Sequence, residues 1–240
     1  MLATIPIAPQ EKRPYVQRLF TRIAPRYDWF NRLASLGLDQ RWRRRVVREA
    51  SIHPGSRVLD VCSGTGDLAI LSARQLQGNG SVIGADLNRH MLSFAQRKAT
   101  ARHLPIVWCQ AEAECLPFAD GSFDCVTIGF STRNLSDLTA GLSEMIRVLR
   151  PAGRLIILET GYPRQRLLRF GYQLFLLTVA RTIGCVLTGS VWPFTYLARS
   201  VRQFLTPEQM IERLQQLQTD VEYLPLSLGL ASLYRVTKHA

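Results

Sequence analysis

The chain has 240 residues, 47% of them hydrophobic and 20% charged, and a formal net charge of +12. That balance excludes a disordered or fibrous chain, and 16 Gly and 12 Pro without a fixed period exclude a collagen-like one. Five Cys with no C-x-x-C pair argue against a disulfide framework or a zinc finger and for a reducing compartment.

In chain order, the basic residues 1–50 come first, with 11 Lys/Arg against 4 Asp/Glu. The first residues, MLATIPIAPQEKR, lack a basic start followed by an apolar run, so no signal peptide and a cytoplasmic location are expected. Arg57–Cys62 is a predicted strand, and Asp67–Gln77 a helix stopped at Gly78-Asn79-Gly80. A second strand follows at Ser81–Asp86. Asn88 caps a helix with Met91, Leu92 and Ala95 on one face. Ile106–Gln110 and Asp124–Gly129 are the third and fourth strands. Asp137 caps a helix to Leu149 that ends at Pro151-Ala152-Gly153, and Arg154–Thr160 is the fifth strand. Residues 165–198 read as apolar and helical, broken at Arg181, Gly184 and Pro193. Their longest uncharged stretch falls short of the roughly 20 residues of a spanning helix, so a buried or interfacial insertion is expected. A helix over Pro207–Leu217 and strands at Val221–Leu224 and Ser232–Thr237 close the chain.

Strands alternating with helices imply an α/β fold with a doubly wound, mostly parallel sheet, preceded by N-terminal helices and carrying a helical insertion before its last strands. One domain over 1–240 is expected. It divides into a helical lid (1–50), a cofactor-binding core (51–163), a substrate- or membrane-facing insertion (164–205) and a C-terminal helix with strands (206–240). Ligands on such sheets bind at the carboxyl ends of the strands.

Asp60, Asp86 and Glu112 fall at or near three successive strand ends, 26 residues apart each time, or one βα unit. Between Asp60 and Asp67 stands Gly64-Thr65-Gly66, which with Ala69 matches G-x-G-x-x-A. A nicotinamide dinucleotide and S-adenosylmethionine both need such glycines, but charge separates them. A pyrophosphate would sit against the helix N-terminus, where Asp67 repels it. A ligand with a sulfonium and an ammonium suits several carboxylates. Asp86 can take both ribose hydroxyls, and Glu112 lies near the adenine.

VLDVCSGTGDLA with IGADLN resembles the class I S-adenosylmethionine-dependent methyltransferases. FTRIAPRYDWFNRLASLGLDQRW (20–42), QAEAECLPFADGSFDCVTIGFSTRN (110–134) and WPFTYLARSV (192–201) resemble, within that class, the quinone C-methyltransferases of ubiquinone and menaquinone biosynthesis. The R-Y-D-x-x-N and F-x-x-R-N elements are the most specific parts. The resemblance implies cofactor contacts at Asp60, Gly64, Thr65, Gly66, Asp86, Glu112, Ala113 and Gly129. Glu112 stands where the family has Asp or Asn, and Gly129 where Ser is commoner.

The implied reaction is methylation of a ring carbon in a prenylated quinol, a demethylmenaquinol-type acceptor being favoured. A quinone carbon is a poor nucleophile, whereas an ionised hydroquinone is a good one. The site must therefore stabilise a phenolate. Arg133 is the candidate for that role, pairing with a carboxylate such as Asp137 being its alternative. Asn134 is the candidate to orient a substrate oxygen, and Tyr27, with Asp28, to close over the cofactor. No general base and no metal cluster emerge. The six arginines and no acid of residues 164–202 suit an anionic membrane surface, peripheral to the inner membrane. A homo-oligomer interface is the alternative. Nucleic acid is not expected as partner, because neither Asn/Asp-Pro-Pro-Tyr nor Pro-Cys occurs where its methylases need them. Other lipid or phenolic acceptors, a non-catalytic scaffold and an NAD-dependent oxidoreductase are the remaining readings.

Overall fold

A computed structural model describes residues 9–161, 163–189 and 192–239, without the side chains of 9, 10, 188 and 192–194. The start of the expected signal-free N-terminus lies outside them. Three helices open the chain: α1 (Pro9–Ile23), α2 (Tyr27–Ala34) and α3 (Leu38–Glu49). The core then alternates β1 (Arg57–Val61), α4 (Asp67–Leu76), β2 (Ser81–Asp86), α5 (Arg89–Thr100), β3 (Ile106–Gln110), β4 (Phe123–Gly129), α6 (Leu138–Arg147) and β5 (Leu149–Thr160). The remainder holds α7 (Arg166–Phe175), a π-helical turn (Leu176–Ala180), α8 (Arg181–Thr188), α9 (Trp192–Gln203), α10 (Pro207–Gln215), β6 (Thr219–Leu226) and β7 (Ala231–Lys238).

The seven strands form one sheet in the order β3-β2-β1-β4-β5-β7-β6. The first five are parallel, and β7 runs antiparallel to both β5 and β6. Strand order reverses between β1 and β4, so their carboxyl ends frame the switch-point crevice where ligands bind on open α/β sheets. The central strands are covered on both faces, and Val58, Leu59, Val126, Ile156 and Ile157 are fully buried.

Two parts of the sequence reading differ from the structure by more than two residues at an element end. The helix capped by Asp137 ends at Arg147, and Pro151–Gly153 lie inside β5, where the pairing with β4 slips between Phe123 and Cys125. The slip absorbs the proline without ending the strand. Arg181 and Gly184 do not break the insertion. Arg166–Leu187 is continuous, 22 residues, long and apolar enough to cross a membrane by length and composition. Pro193 sits in the first turn of α9, where its missing N–H has no intrahelical partner to lose.

Candidate functional site

The turn after β1 is organised by Asp60. Its carboxylate accepts hydrogen bonds from Ser63 Oγ (2.5 Å), Thr127 Oγ1 of β4 (2.7 Å) and the Ala69 N–H of α4 (3.2 Å). Gly66 sits at φ +83°, and a Cβ there would meet the Trp108 ring at 2.6 Å, so only glycine fits. Asp86 closes the loop from β2: it accepts from Gly64 N–H (2.8 Å) and Asn88 N–H (2.7 Å). Each oxygen thus spends one lone pair on backbone and keeps another for a ligand. Burial raises the Asp86 carboxyl above its ordinary value, against the two backbone donors.

Asp60, Ser63, Gly64, Asp86 and Asn88 line a cavity of about 990 Å³, open mouth included, together with Ala113, Gly129 and Glu112, while Gly66 is not among its lining residues. A Cβ on Gly129 would meet Leu68 at 2.9 Å, so the glycine leaves room at this wall. Helix α1 covers the cavity. Arg13 pairs with Glu112 Oε2 (2.9 Å), Lys12 donates to the Leu135 carbonyl (2.6 Å), and Asn88 Nδ2 donates to Gln17 O (3.1 Å) and Thr21 Oγ1 (2.8 Å). Glu112 is therefore at the rim, tied to the covering helix rather than folded inward. Thr65 Oγ1 donates to Asp28 Oδ1 (2.5 Å), which turns its hydroxyl toward α2 and leaves its backbone to the cavity. Lys98 bridges Asp28 (2.7 Å) and Asp67 (2.5 Å). Burial opposes ionisation of Asp67, but Arg43 and then Lys98 hold it below the usual carboxylate range. A charged Asp67 at the N-terminus of α4 disfavours a pyrophosphate there.

The donor set fits S-adenosylmethionine: carboxylates at the ends of β1 and β2, a glycine-walled cleft and an acid where a phosphate would lie. Asp86 would hold the ribose hydroxyls, the Gly64–Thr65 backbone the amino-acid part, and Ala113 with Glu112 the adenine side.

Beside this cavity lies a second, of about 1220 Å³ with its mouth, walled mainly by apolar side chains including Leu19, Ile23, Phe30, Trp42, Phe175 and Leu176. Phe20, Tyr27 and Asn134 line both cavities, so they form the partition between them. Burial raises the Tyr27 phenol, opposed by Arg43, Asn31 and Arg133. Asn134 Nδ2 donates to the Phe130 carbonyl (3.4 Å), and its Oδ1 accepts from Tyr196 Oη (3.1 Å). Arg133 lines the second cavity. Its Nη1 donates to Glu159 Oε1 and to the Phe130 carbonyl (2.6 Å). The partner is Glu159, not Asp137, whose carboxylate caps α6 through Ala140 N–H (3.0 Å).

Glu159 is 1% exposed and also accepts from Thr132 Oγ1 (2.7 Å), Arg133 N–H (3.2 Å) and Thr160 N–H (2.7 Å). The sequence reading gave it no role, although an acid at the end of the fifth strand is the same signal that marked Asp60 and Asp86. No group of three or more His, Cys, Asp or Glu able to hold a metal occurs among the described residues.

The sequence matches the ubiE/COQ5 methyltransferase family over residues 8–238. The chain belongs to that family. It is 40% identical to a demethylmenaquinone methyltransferase of Deinococcus radiodurans, over 94% of this chain and 93% of that one. It is 38% identical to a ubiquinone/menaquinone biosynthesis C-methyltransferase UbiE of Geobacter sulfurreducens, over 93% and 88%. A crystal structure of an S-adenosylmethionine-dependent methyltransferase from Aquifex aeolicus has the same fold, with TM-score 0.61 and 17% identity over 81% of this chain and 88% of that one. The ubiE/COQ5 membership makes this chain an S-adenosylmethionine-dependent methyltransferase of the class I, Rossmann-like fold.

Burial pushes Asp60 up to about 6, against Ser63, Thr127 and the Ala69 N–H. With the folded value raised, the stability contributed by Asp60 falls as pH rises from its ordinary value of 3.8 through about 6. A cationic ligand favours the ionised carboxylate and reverses that preference. Affinity for S-adenosylmethionine is therefore expected to fall as pH drops from about 7.5 to about 5.5, with proton release on binding. Thr127→Val removes a hydrogen bond to the charged form and should move the fall to higher pH. Calorimetric titration across that range checks both; affinity independent of pH in wild type and variant would contradict them.

Proposed function

We propose that the chain transfers a methyl group to a ring carbon of a prenylated quinol, with a demethylmenaquinol-type acceptor favoured, and that 1–240 works as one domain with residues 1–50 as its lid. The observation that carries this reading is the pair of adjoining cavities, one lined by carboxylates and glycines, the other apolar, sharing Phe20, Tyr27 and Asn134 as partition. Bound S-adenosylmethionine supplies an electrophilic methyl on a sulfonium. The residues of the partition align the ring carbon with it and exclude water. Arg133, held by Glu159, places a guanidinium beside the acceptor oxygen and stabilises the phenolate that drives charge onto the ring carbon. The ring carbon that accepts the methyl group would then lose its proton as the ring regains aromaticity. Incubation with methyl-labelled cofactor and a reduced lipid extract tests the acceptor class. A labelled prenylated quinol is expected; label only in sterol, phospholipid or RNA would overturn the reading.

The prenyl tail needs an apolar path. Tyr172, Phe175 and Leu176 line the slot from one face of the insertion, while Leu167, Phe170, Leu174, Leu177, Val179 and Val186 are exposed on α7, the π turn and α8. Arg166 and Arg181 are exposed on the same helix, and Arg164 pairs with the exposed Glu208 (2.6 Å). An amphipathic helix with one face on the slot and an apolar, basic face outside suits lying on an anionic bilayer rather than crossing it. Co-sedimentation is expected to show binding to anionic liposomes that weakens with salt, and Leu167→Glu with Phe170→Glu should abolish it without changing cofactor affinity. A stable dimer that ignores liposomes would show a second copy covering this face instead.

A further inference from the structure

Three helices meet at one ammonium group beside the glycine turn. Lys98 Nζ, from α5, pairs with Asp28 Oδ2 of α2 (2.7 Å) and with Asp67 Oδ1 of α4 (2.5 Å), and it donates to Thr65 Oγ1 (3.3 Å). Thr65 Oγ1 donates onward to Asp28 Oδ1 (2.5 Å). The two carboxylates depend on the ammonium unequally. Asp67 has a second cation, Arg43, with its Nε 3.6 Å away. Asp28 has no other ion-pair partner among the described residues. Asp67 lines the carboxylate-lined cavity and also an outer polar cleft of about 800 Å³ with its mouth, which Asp28, Lys98, Trp29 and Arg74 line as well. The cluster is therefore a wall between that cavity and the outer cleft. On its other face α2 is held by apolar packing, where Phe30 shares a cluster with Ile183 and Leu187 of α8. Neither the cofactor contacts nor the phenolate role of Arg133 uses Lys98.

Without the ammonium, two carboxylates that both reach it within 2.7 Å would face each other across the seam between α2 and α4. Like charges this close repel, and water and salt screen part of the effect. We infer that Lys98 is a positioning residue that latches α2 onto the glycine turn and so sets how long the cofactor and its demethylated product stay bound. This rests on the reading of residues 1–50 as a lid. Lys98 is absent from the lining of the carboxylate-lined cavity, so it acts through Asp28, Thr65 and Asp67 rather than on the ligand. Opening the latch joins that cavity to the outer cleft, which gives S-adenosylhomocysteine a way out after transfer. The packing of α2 on α8 does not pass through Lys98, so the acceptor slot keeps its wall when the latch opens.

The test measures dissociation of S-adenosylhomocysteine by surface plasmon resonance, beside steady-state kinetics and hydrogen exchange of α1 and α2. Lys98→Met keeps an alkyl stem and removes the charge. It is expected to raise the dissociation rate about tenfold and to raise KM for S-adenosylmethionine, with KM for the quinol within about twofold of wild type. Asp28→Asn should give a smaller change of the same sign. The double variant should be no worse than Lys98→Met alone, because both residues act through one contact. Lys98→Arg should recover part of the slow dissociation. A side chain that only supports the fold would lower the unfolding temperature, leave the dissociation rate alone and add to Asp28→Asn. Wild-type dissociation in folded Lys98→Met, or additive effects in the double variant, would overturn the latch. Should Lys98→Met fail to fold, wild-type dissociation in Asp28→Asn would overturn it in the same way. Exchange of α1 and α2 amides in the wild type that is indifferent to S-adenosylhomocysteine would instead overturn the lid reading on which the inference rests.

Discussion

Asp86→Ala is expected to lower affinity for S-adenosylmethionine by about 10²–10⁴-fold, since it removes two charge-assisted hydrogen bonds worth roughly 1.5–3 kcal/mol each. The geometry adds a second consequence. Asp86 also accepts from the Gly64 and Asn88 N–H groups, so the substitution frees one donor that shapes the glycine turn and one that holds Asn88, whose side chain caps α5. A stability loss of about 1–3 kcal/mol is therefore expected beside the loss of affinity. Asp86→Asn separates the two effects. The amide keeps one acceptor oxygen, so part of the loop order should survive while ribose recognition does not. Calorimetry measures the affinity and thermal unfolding the stability. Wild-type affinity in Asp86→Ala would remove the residue from the cofactor site.

Arg133→Ala is expected to reduce turnover on the order of 10²-fold or more with S-adenosylmethionine affinity little changed, as the guanidinium acts on charge that develops during the reaction. The loss has a structural component as well. Glu159 would stay buried without its cation, and Thr132, Thr160 and the Arg133 N–H would remain its partners. Arg133→Lys tests which component dominates. Lysine supplies a charge for Glu159 but lacks the planar fork of the guanidinium. Restored stability with turnover still depressed is the expected pattern. Full turnover in Arg133→Lys would mean that Arg133 only neutralises Glu159.

The carboxylate-lined cavity was legible in the sequence because its residues are local to strand ends. Asp60, Asp86 and Glu112 recur once per βα unit, and each repeat returns the chain to the same sheet edge. The apolar cavity was less legible because its contacts cross the sheet. Arg133 and Glu159 are 26 residues apart, and only the register of β4 on β5, which pairs Gly129 with Leu158, brings them together. The partner chosen from proximity in sequence, Asp137, is committed to its own helix. Thr65 shows the same limit. Its place in the glycine turn was readable, but its hydroxyl is claimed by Asp28, 37 residues upstream. The insertion was misread at Arg181 and Gly184 for another reason. Arginine is itself a good helix former, the single glycine costs only about 1 kcal/mol, and Leu176 and Ala180, buried beneath the exposed apolar face, hold that helix together.

The most direct measurement follows a deuterated methyl group from S-adenosylmethionine into a purified short-tailed demethylnaphthoquinone, presented reduced and oxidised, with the product mapped by mass spectrometry and NMR. The account predicts a carbon-bound CD₃ on the ring from the reduced form, none from the oxidised form, and a rate that collapses in Arg133→Ala. Label on an oxygen, or transfer to the oxidised ring at the same rate, would contradict it.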